Sequence, residues 1–403
     1  MACSSCSRRS AARARATRDP HTARRPRSTP SPSARRTERV TLRLGWNAIL
    51  HDGRPSGAAR RRIELLRRIV EHDVEVVLVL KRGAPPPLEH RRVEIVETAI
   101  PRSPAPARAA AEATVLGRIA RERRCDVVLH ESFPAPRLAA IPLVLTVHDL
   151  RALDPESRAA SLARRFVAPA VIRRSLERAS RIVVVSRFTG DAVVRAAPRT
   201  ADRIAVVANA ADHLAPPSSP PPRIDGLVLA VGHLERRKGV DVLLEAFARL
   251  HARAPRTRLR FAGSGPMGGI LARRVRALGV ASAVTIEPVE ERDLPRLYAE
   301  ASLVAVPSRY EGFGLSVLEA MRCGTPVVAA NASALPETAG GAACLVDGFD
   351  PESWARTLET VLADGDLALA LAARGRARAA SFTWRDSARA LVDVLGSAAS
   401  AKS

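Results

Sequence analysis

Short apolar runs alternate with helix-length amphipathic stretches along most of this 403-residue chain, and that alternation leaves few folds open. A run such as "VEVVLVL" (Val74–Leu80) is apolar at nearly every position. A strand of that kind is buried on both faces, the condition of a parallel sheet covered by helices. The pattern predicts strands at Val40–Ile49, Val74–Leu80, Val93–Glu97, Cys125–Glu131, Ile141–Leu150, Arg181–Ser186 and Arg203–Ala210. Helices are expected between them at Gly57–His72, Ala107–Arg123 and Ser157–Ala179, the first with Ile63, Leu66 and Val70 on its buried side.

The segment "APPSSPPPR" (Ala215–Arg223) interrupts this alternation. Five prolines and two serines in nine residues cannot continue either regular structure, so the segment reads as a linker. Strands then resume at Leu227–Gly232, Arg258–Gly263, Ala283–Pro288, Leu303–Ser308 and Pro326–Ala330, with helices at Gly239–Arg253 and within Met267–Val280. The expected class is α/β: two doubly wound, Rossmann-like parallel-sheet domains, residues 40–214 and 224–395, joined by linker 215–223. The last helix is free to pack back on the first domain. Ligands of such sheets sit outside the carboxyl ends of the strands, where helix amino termini attract anions. The cleft between the domains is therefore the expected site.

Composition narrows the function classes. No apolar run reaches the roughly 18 residues of a membrane span. The formal charge is +23, but residues 1–39 alone hold eleven Arg against Asp19 and Glu38, and lysine occurs only at Lys81, Lys238 and Lys402. That preference for Arg suggests a GC-rich genome, so much of the charge is background. Aromatic residues are only 3% of the chain and do not interleave with Arg as in a single-strand binder. Nucleic acid is set aside as a partner; a solvated basic surface or an anionic membrane remains. The segments "ARRRIELLRRIV" and "SLARRFVAPAVIRRSLERASR" are where a membrane would be met. Residues 1–39 are too polar to bury a core and are expected to be a disordered tail or an over-extended start. Five cysteines, Cys3, Cys6, Cys125, Cys323 and Cys344, form no paired framework, which fits a reducing cytoplasm.

Four motifs carry chemistry. In "VGHLERRKGVD" a strand ends at Gly232, a basic loop follows, and a helix starts near Gly239. Arg237 and Lys238 there can join the helix dipole in holding a diphosphate. A lysine at this place in an Arg-rich chain suggests a need for a compact ammonium. "FAGSGP" puts Gly263 and Gly265 after a strand, where backbone can approach a ligand or the next helix. In "PSRYEGFGLSVLEAMR", Glu311 lies in a strand-to-helix loop, a helix begins near Leu315, and Glu319 sits just over one turn inside it. Gly312 and Gly314 remove side chains where a ligand would reach backbone N–H groups, and a buried Glu319 needs partners that ribose hydroxyls would supply. In "LTVHDL", His148 and Asp149 end a first-half strand and face the cleft.

In their order, these residues resemble the retaining, nucleotide-sugar-dependent glycosyltransferases of the GT-B fold that carry a Glu-x7-Glu motif (glycosyltransferase family 4, group 1). The likeness runs from about Val40 to Ala390 and is most specific over Val306–Asp347, with "SRIVVVSRFTGDAVVR" and "RIAVVANAAD" in the family's order. It implies that Glu319 binds the donor's ribose and that Glu311 hydrogen-bonds the donor sugar. By the same resemblance, amides of Phe313, Gly314 and Leu315 cradle the diphosphate, Lys238 neutralises it as it leaves, and His148 stands near the reacting sugar. Gly57, in "GRPSGAARRR", matches a glycine loop near donor and acceptor. The chain departs from the pattern at His233, where many members have Arg and Arg237 is the substitute charge. It departs again at the SGAARR loop, which lacks a double glycine, and at Pro288.

The resemblance implies a hexosyltransferase that moves a sugar from a nucleoside-diphosphate sugar to a glycan or glycolipid. The wording of "VHDL" and "LERRKG" is mannosyltransferase-like and favours GDP-mannose, with a UDP-sugar as the alternative. The helix amino terminus, Lys238 and Arg237 would stabilise the leaving diphosphate with no metal or other cofactor, and no DxD-like acidic motif occurs in the expected loop. A GT-B-fold epimerase or phosphorylase and a non-catalytic nucleotide-sugar-binding protein are the competing readings. A cytoplasmic protein of polysaccharide biosynthesis, peripheral at the inner face of the membrane, is the expected setting.

Overall fold

The computed structural model describes residues 42–401 except 55, 102, 104, 139–140, 154–161 and 220. The expectations for residues 1–39, including Cys3 and Cys6, and for the start of the Ser157–Ala179 helix lie outside the described residues. Residues Val40–Ser403 form one compact unit.

Its first sheet comprises β1 (Leu42–Asn47), β2 (Val74–Lys81), β3 (Val93–Thr98), β4 (Val127–His130), β5 (Leu143–Val147), β6 (Arg181–Val184) and β7 (Ile204–Val206). The second comprises β8 (Ile224–Val231), β9 (Arg258–Ala262), β10 (Val284–Glu287), β11 (Ala301–Val306), β12 (Val327–Ala330) and β13 (Cys344–Val346). The strand orders are 3-2-1-4-5-6-7 and 10-9-8-11-12-13, and every pair is parallel. The helices of the first half are α1 (Gly57–Ile69), α2 (Ala105–Glu122), α3 (Leu162–Arg178) and α4 (Arg187–Ala196). Those that follow are α5 (Val240–Arg253), α6 (Gly268–Ala277), α7 (Leu294–Glu300), α8 (Leu315–Arg322), α9 (Leu335–Ala339), α10 (Pro351–Ala363), α11 (Gly365–Ala380) and α12 (Trp384–Ser400).

Strands β4, β5 and β12 are buried at every residue, so both faces of these sheets are covered and their sequences need no polar alternation. In each sheet the winding direction reverses beside the half's first strand, between β1 and β4 and between β8 and β11. Loops leaving the two strands at such a reversal diverge and open a crevice. The second-half motifs lie at the β8/β11 reversal, and His148 follows β5, one strand beyond the β1/β4 reversal.

Three details differ from, or add to, the sequence reading. Strand β13 was not anticipated, because three residues carry no periodic signal. Helix α12 returns to the first half, where Trp384, Leu391 and Leu395 share one core with Leu44, Trp46 and Leu66. On α1 the buried residues include Arg61, Arg62, Leu65, Leu66 and Ile69, while Ile63 is only half-buried. Two arginines point inward toward the polar ends of the strands, which also removes them from any lipid-facing surface.

Candidate active site

The second-half wall is built by two loops. Residues Arg236–Lys238 make one 3₁₀ turn after β8, and residues 307–314 follow β11. Arg309 joins them: its backbone N–H donates to the Arg237 carbonyl at 2.8 Å, and its guanidinium grips Asp241 at 2.8 and 3.1 Å. The Lys238 ammonium donates to Glu311 Oε1 at 2.5 Å, and Arg237 Nη1 stands 3.5 Å from Oε2. Burial acts to raise the Glu311 carboxyl, yet Lys238 and Arg237 beside it hold it below the usual carboxylate range. Arg237 also donates to the Tyr310 carbonyl and to Glu235, both at 2.5 Å. It therefore braces the loop. A pocket beside the pair is lined by Gly232, His233, Lys238, Ser308 and Ser316.

The glycines and the second glutamate are placed for reasons partly different from those expected. A Cβ on Gly263 would lie 1.9 Å from the Gly232 carbonyl oxygen, and one on Gly265 would lie 2.5 Å from that of Leu234. Packing against the Gly232–Leu234 loop thus accounts for both, and they support that loop from behind. Gly232 itself faces open space. Phe313 is buried with its ring 5.9 Å from that of Phe382, and its carbonyl accepts from the Thr338 hydroxyl at 2.5 Å. Gly314 adopts φ +95° at the amino end of α8, and Leu315 is the first residue of that helix. Glu319 is buried, but it is not dependent on a ligand for partners. Its Oε2 accepts from the Tyr298 hydroxyl at 2.8 Å, while His213 Nε2 stands 3.6 Å from Oε1. Burial and the nearby Glu319 raise the Tyr298 hydroxyl well above its ordinary pKa, so it stays a donor.

The first-half wall stands at the ends of β1, β4 and β5. His148 follows β5, and its Nε2 is buried with no partner among the described residues. Burial pushes its imidazole down to about 4, against the opposing pull of Glu131, so the ring is neutral at pH 7. Glu131 accepts from Arg62 Nε at 2.7 Å. Arg61 donates to the Ala208 carbonyl at 3.1 Å and to Asn209 Oδ1 at 2.7 Å. Below them, Asn47 Nδ2 lies 2.8 Å from His130 Nδ1 and donates to Glu112 at 3.0 Å. Arg61, Arg62 and Glu131 were missed in the sequence; the available signal was charge at positions where the helix and strand patterns require burial. Gly57 begins α1 behind Ser56, whose Oγ accepts from the Ala59 N–H at 3.1 Å. A Cβ at Gly57 would meet nothing within 4 Å, so packing does not demand glycine there.

The two walls touch. A Cβ on Gly312 would lie 1.9 Å from the His148 carbonyl oxygen, so only glycine lets the two backbones meet. The Gly312 carbonyl accepts from Ser186 Oγ at 2.6 Å and Thr189 Oγ1 at 3.1 Å. The Tyr310 hydroxyl accepts from the Leu150 N–H at 3.3 Å. Glu311, Lys238 and His148 are thereby brought to one cleft, with Glu319 behind the second-half wall. Among the described residues, no group of three His, Cys, Asp or Glu side chains is placed to hold a metal ion, and no helix is long and apolar enough to cross a membrane.

Two all-parallel Rossmann-like halves with their strand-reversal points turned to one cleft define a GT-B architecture. Solved structures agree in fold: a sucrose-phosphate synthase from Thermosynechococcus elongatus is 21% identical with a TM-score of 0.74, covering 89% of this chain and all of that one. Anabaena HepE, solved with UDP and glucose, is 21% identical with a TM-score of 0.71 over 88% of this chain and all of its own. Residues 55–213 match the family described as Glycosyltransferase Family 4, and residues 216–378 match Glycosyl transferases group 1. Together the two matches cover most of the chain, one glycosyltransferase domain in each half. The chain's sequence identity with D-inositol 3-phosphate glycosyltransferase of Corynebacterium kroppenstedtii is 38% over 178 residues, 42% of this chain and 40% of that protein. For the enzyme of the same name from Salinispora arenicola it is 41% over 189 residues, 44% and 42% of the two chains. The chain thus spans about two fifths of the length of the curated relatives it matches.

Proposed function

We propose that this protein transfers a glycosyl group from a nucleoside-diphosphate sugar to an acceptor hydroxyl. The observation that carries the reading is the Lys238–Glu311 contact at the reversal point of the second sheet, faced by His148 from the first. As the bond between the anomeric carbon and the phosphate oxygen breaks, the Lys238 ammonium and the amino terminus of α8 stabilise the diphosphate left behind. The acceptor oxygen forms the new bond, and its proton passes to the leaving phosphate, a course compatible with retention and with no metal. Glu311 accepts from donor-sugar hydroxyls. Glu319 Oε1, free of the Tyr298 bond, receives a ribose hydroxyl. Neutral His148 serves as a hydrogen-bonding partner beside the reacting sugar.

The donor favoured by the sequence is GDP-mannose; the UDP held by the structural neighbour HepE makes UDP-sugars the second choice. The acceptor favoured by the sequence is a glycan or glycolipid, whereas the names of the relatives favour a phosphorylated cyclitol. Peripheral docking on an anionic membrane at its cytoplasmic face now rests on α3 alone, where Phe166 and Val167 are 67% and 57% exposed. The test is nucleotide release from GDP-mannose, UDP-glucose and dTDP-glucose, with and without D-inositol 3-phosphate, followed by product mass and anomeric configuration. Tight nucleotide binding with no release from any donor would leave a binding protein instead.

A further inference from the structure

Two segments carried the family likeness without acquiring a role: "SRFTGD" at the start of α4 and "LPET" in α9. The structure joins them. The Glu337 carboxylate accepts from the first two backbone N–H groups of α4, Arg187 to Oε1 at 2.9 Å and Phe188 to Oε2 at 3.0 Å. These are N–H groups that the helix itself cannot satisfy, and a carboxylate is the strongest side-chain acceptor for them. Helix α4 belongs to the first half and Glu337 to the second.

The segment around Glu337 also holds the Glu311–Gly314 loop. Ser333 Oγ accepts from the Glu311 N–H at 2.9 Å, and the Ala334 N–H donates to the Glu311 carbonyl at 3.3 Å. The Thr338 hydroxyl donates to the Phe313 carbonyl at 2.5 Å. Arg378 grips the carbonyls of Glu337 and Thr338 from behind, at 2.7 and 3.0 Å. On the other side, the two hydroxyls of the α4 cap, Ser186 and Thr189, reach the Gly312 carbonyl. The loop is therefore clamped on one side by residues 333–338 and on the other by the start of α4, and Glu337 ties the two sides of the clamp together.

We propose that Glu337 is a positioning residue: by bonding the amino terminus of α4 across the cleft, it sets Glu311 and Gly312 against His148 in the geometry that sugar transfer requires. This rests on the glycosyl-transfer reading. The nucleotide is expected to be held by second-half groups alone, Lys238 and Glu319, so loss of the Glu337 bonds should separate chemistry from nucleotide binding.

The experiment compares the full-length protein with Glu337→Ala and Glu337→Gln. The amides of Arg187 and Phe188 should exchange hydrogen about tenfold or more faster in Glu337→Ala, the scale of lost charge-assisted bonds. The kcat for transfer should fall by a similar factor, while the Kd for UDP or GDP, whichever the wild type binds, stays within about twofold. Glu337→Gln keeps one acceptor oxygen and should fall between. Unchanged exchange at Arg187 and Phe188 overturns the clamp. Unchanged kcat with faster exchange overturns the positioning role, and a Kd that weakens in step with kcat reassigns Glu337 to general stability. The exchange arm needs no substrate, so it stands if the glycosyl-transfer reading itself fails.

Discussion

The backbone of Gly312 rests on the carbonyl oxygen of His148, so close that a Cβ would intrude to 1.9 Å. One residue lies in the loop after β11 and the other after β5, and their contact joins the two halves at the cleft.

Gly312→Ala should consequently damage transfer more than nucleotide binding. The neighbour is the His148 backbone oxygen, which cannot swing away as a side chain can, so the walls must separate. A drop in kcat of about tenfold or more is expected, equivalent to ~1.4 kcal/mol of lost transition-state stabilisation. Steady-state kinetics together with nucleotide calorimetry measure the split; wild-type kcat in the variant would mean the walls need not touch during turnover.

Lys238→Ala should lower turnover about 100-fold or more, the scale of a lost electrostatic stabiliser. Lys238→Arg should recover little of it, because a planar guanidinium does not occupy the position of a compact ammonium. Single-turnover nucleotide release is the measurement, and near-normal release by Lys238→Ala would remove this residue from the reaction.

The proposed ribose contact of Glu319 and its bond to Tyr298 can be separated by a pair of variants. Glu319→Ala should weaken nucleotide binding and also leave the buried Tyr298 hydroxyl without its acceptor, a loss of about 1–3 kcal/mol of stability. Tyr298→Phe keeps the carboxylate and should retain nucleotide affinity within a few-fold. Calorimetry paired with urea unfolding distinguishes them; undiminished affinity in Glu319→Ala would exclude the ribose contact.

Acid should destabilise the fold before its carboxylates titrate. Burial holds both His130 and His148 at about 4 against an ordinary value of 6.5. Between those values the unfolded chain takes up protons that the folded one refuses, so stability is complete above about 6.5 and is lost as pH falls toward 4. For fully buried His130 the loss is about 2 kcal/mol by pH 5 and about 3 by pH 4. Urea midpoints at pH 7 and pH 5 should show it, and His130→Asn should flatten the difference.

How far the sequence reaches can be judged residue by residue. The runs Val74–Leu80 and Leu303–Ser308 announce buried parallel strands because a strand covered on both faces has no place for polar alternation. "EGFGLSVLE" sets the start of α8 and puts Glu311 in a loop and Glu319 on a helix, since helix entry is a local matter of turn and spacing. The choice of contact partner is different. Gly312 was read as clearing space for a ligand, yet it clears space for His148, some 160 positions earlier. Gly263 and Gly265 are open in the sequence to a ligand or the next helix, yet they pack against the Gly232–Leu234 backbone. Arg61 and Arg62 sit where an amphipathic pattern calls for apolar side chains, because the ends of the first sheet supply them with Asn209, a carbonyl and Glu131.

Local order therefore settles which segments become strands, helices and loops, since hydrogen bonding and apolar periodicity act over a few residues. Which backbone a glycine must admit, which carboxylate a lysine meets, and how Glu337 comes to cap a helix of the other half follow only from chain packing. Those contacts join residues far apart in sequence, and nothing in their immediate neighbours encodes the distance between them.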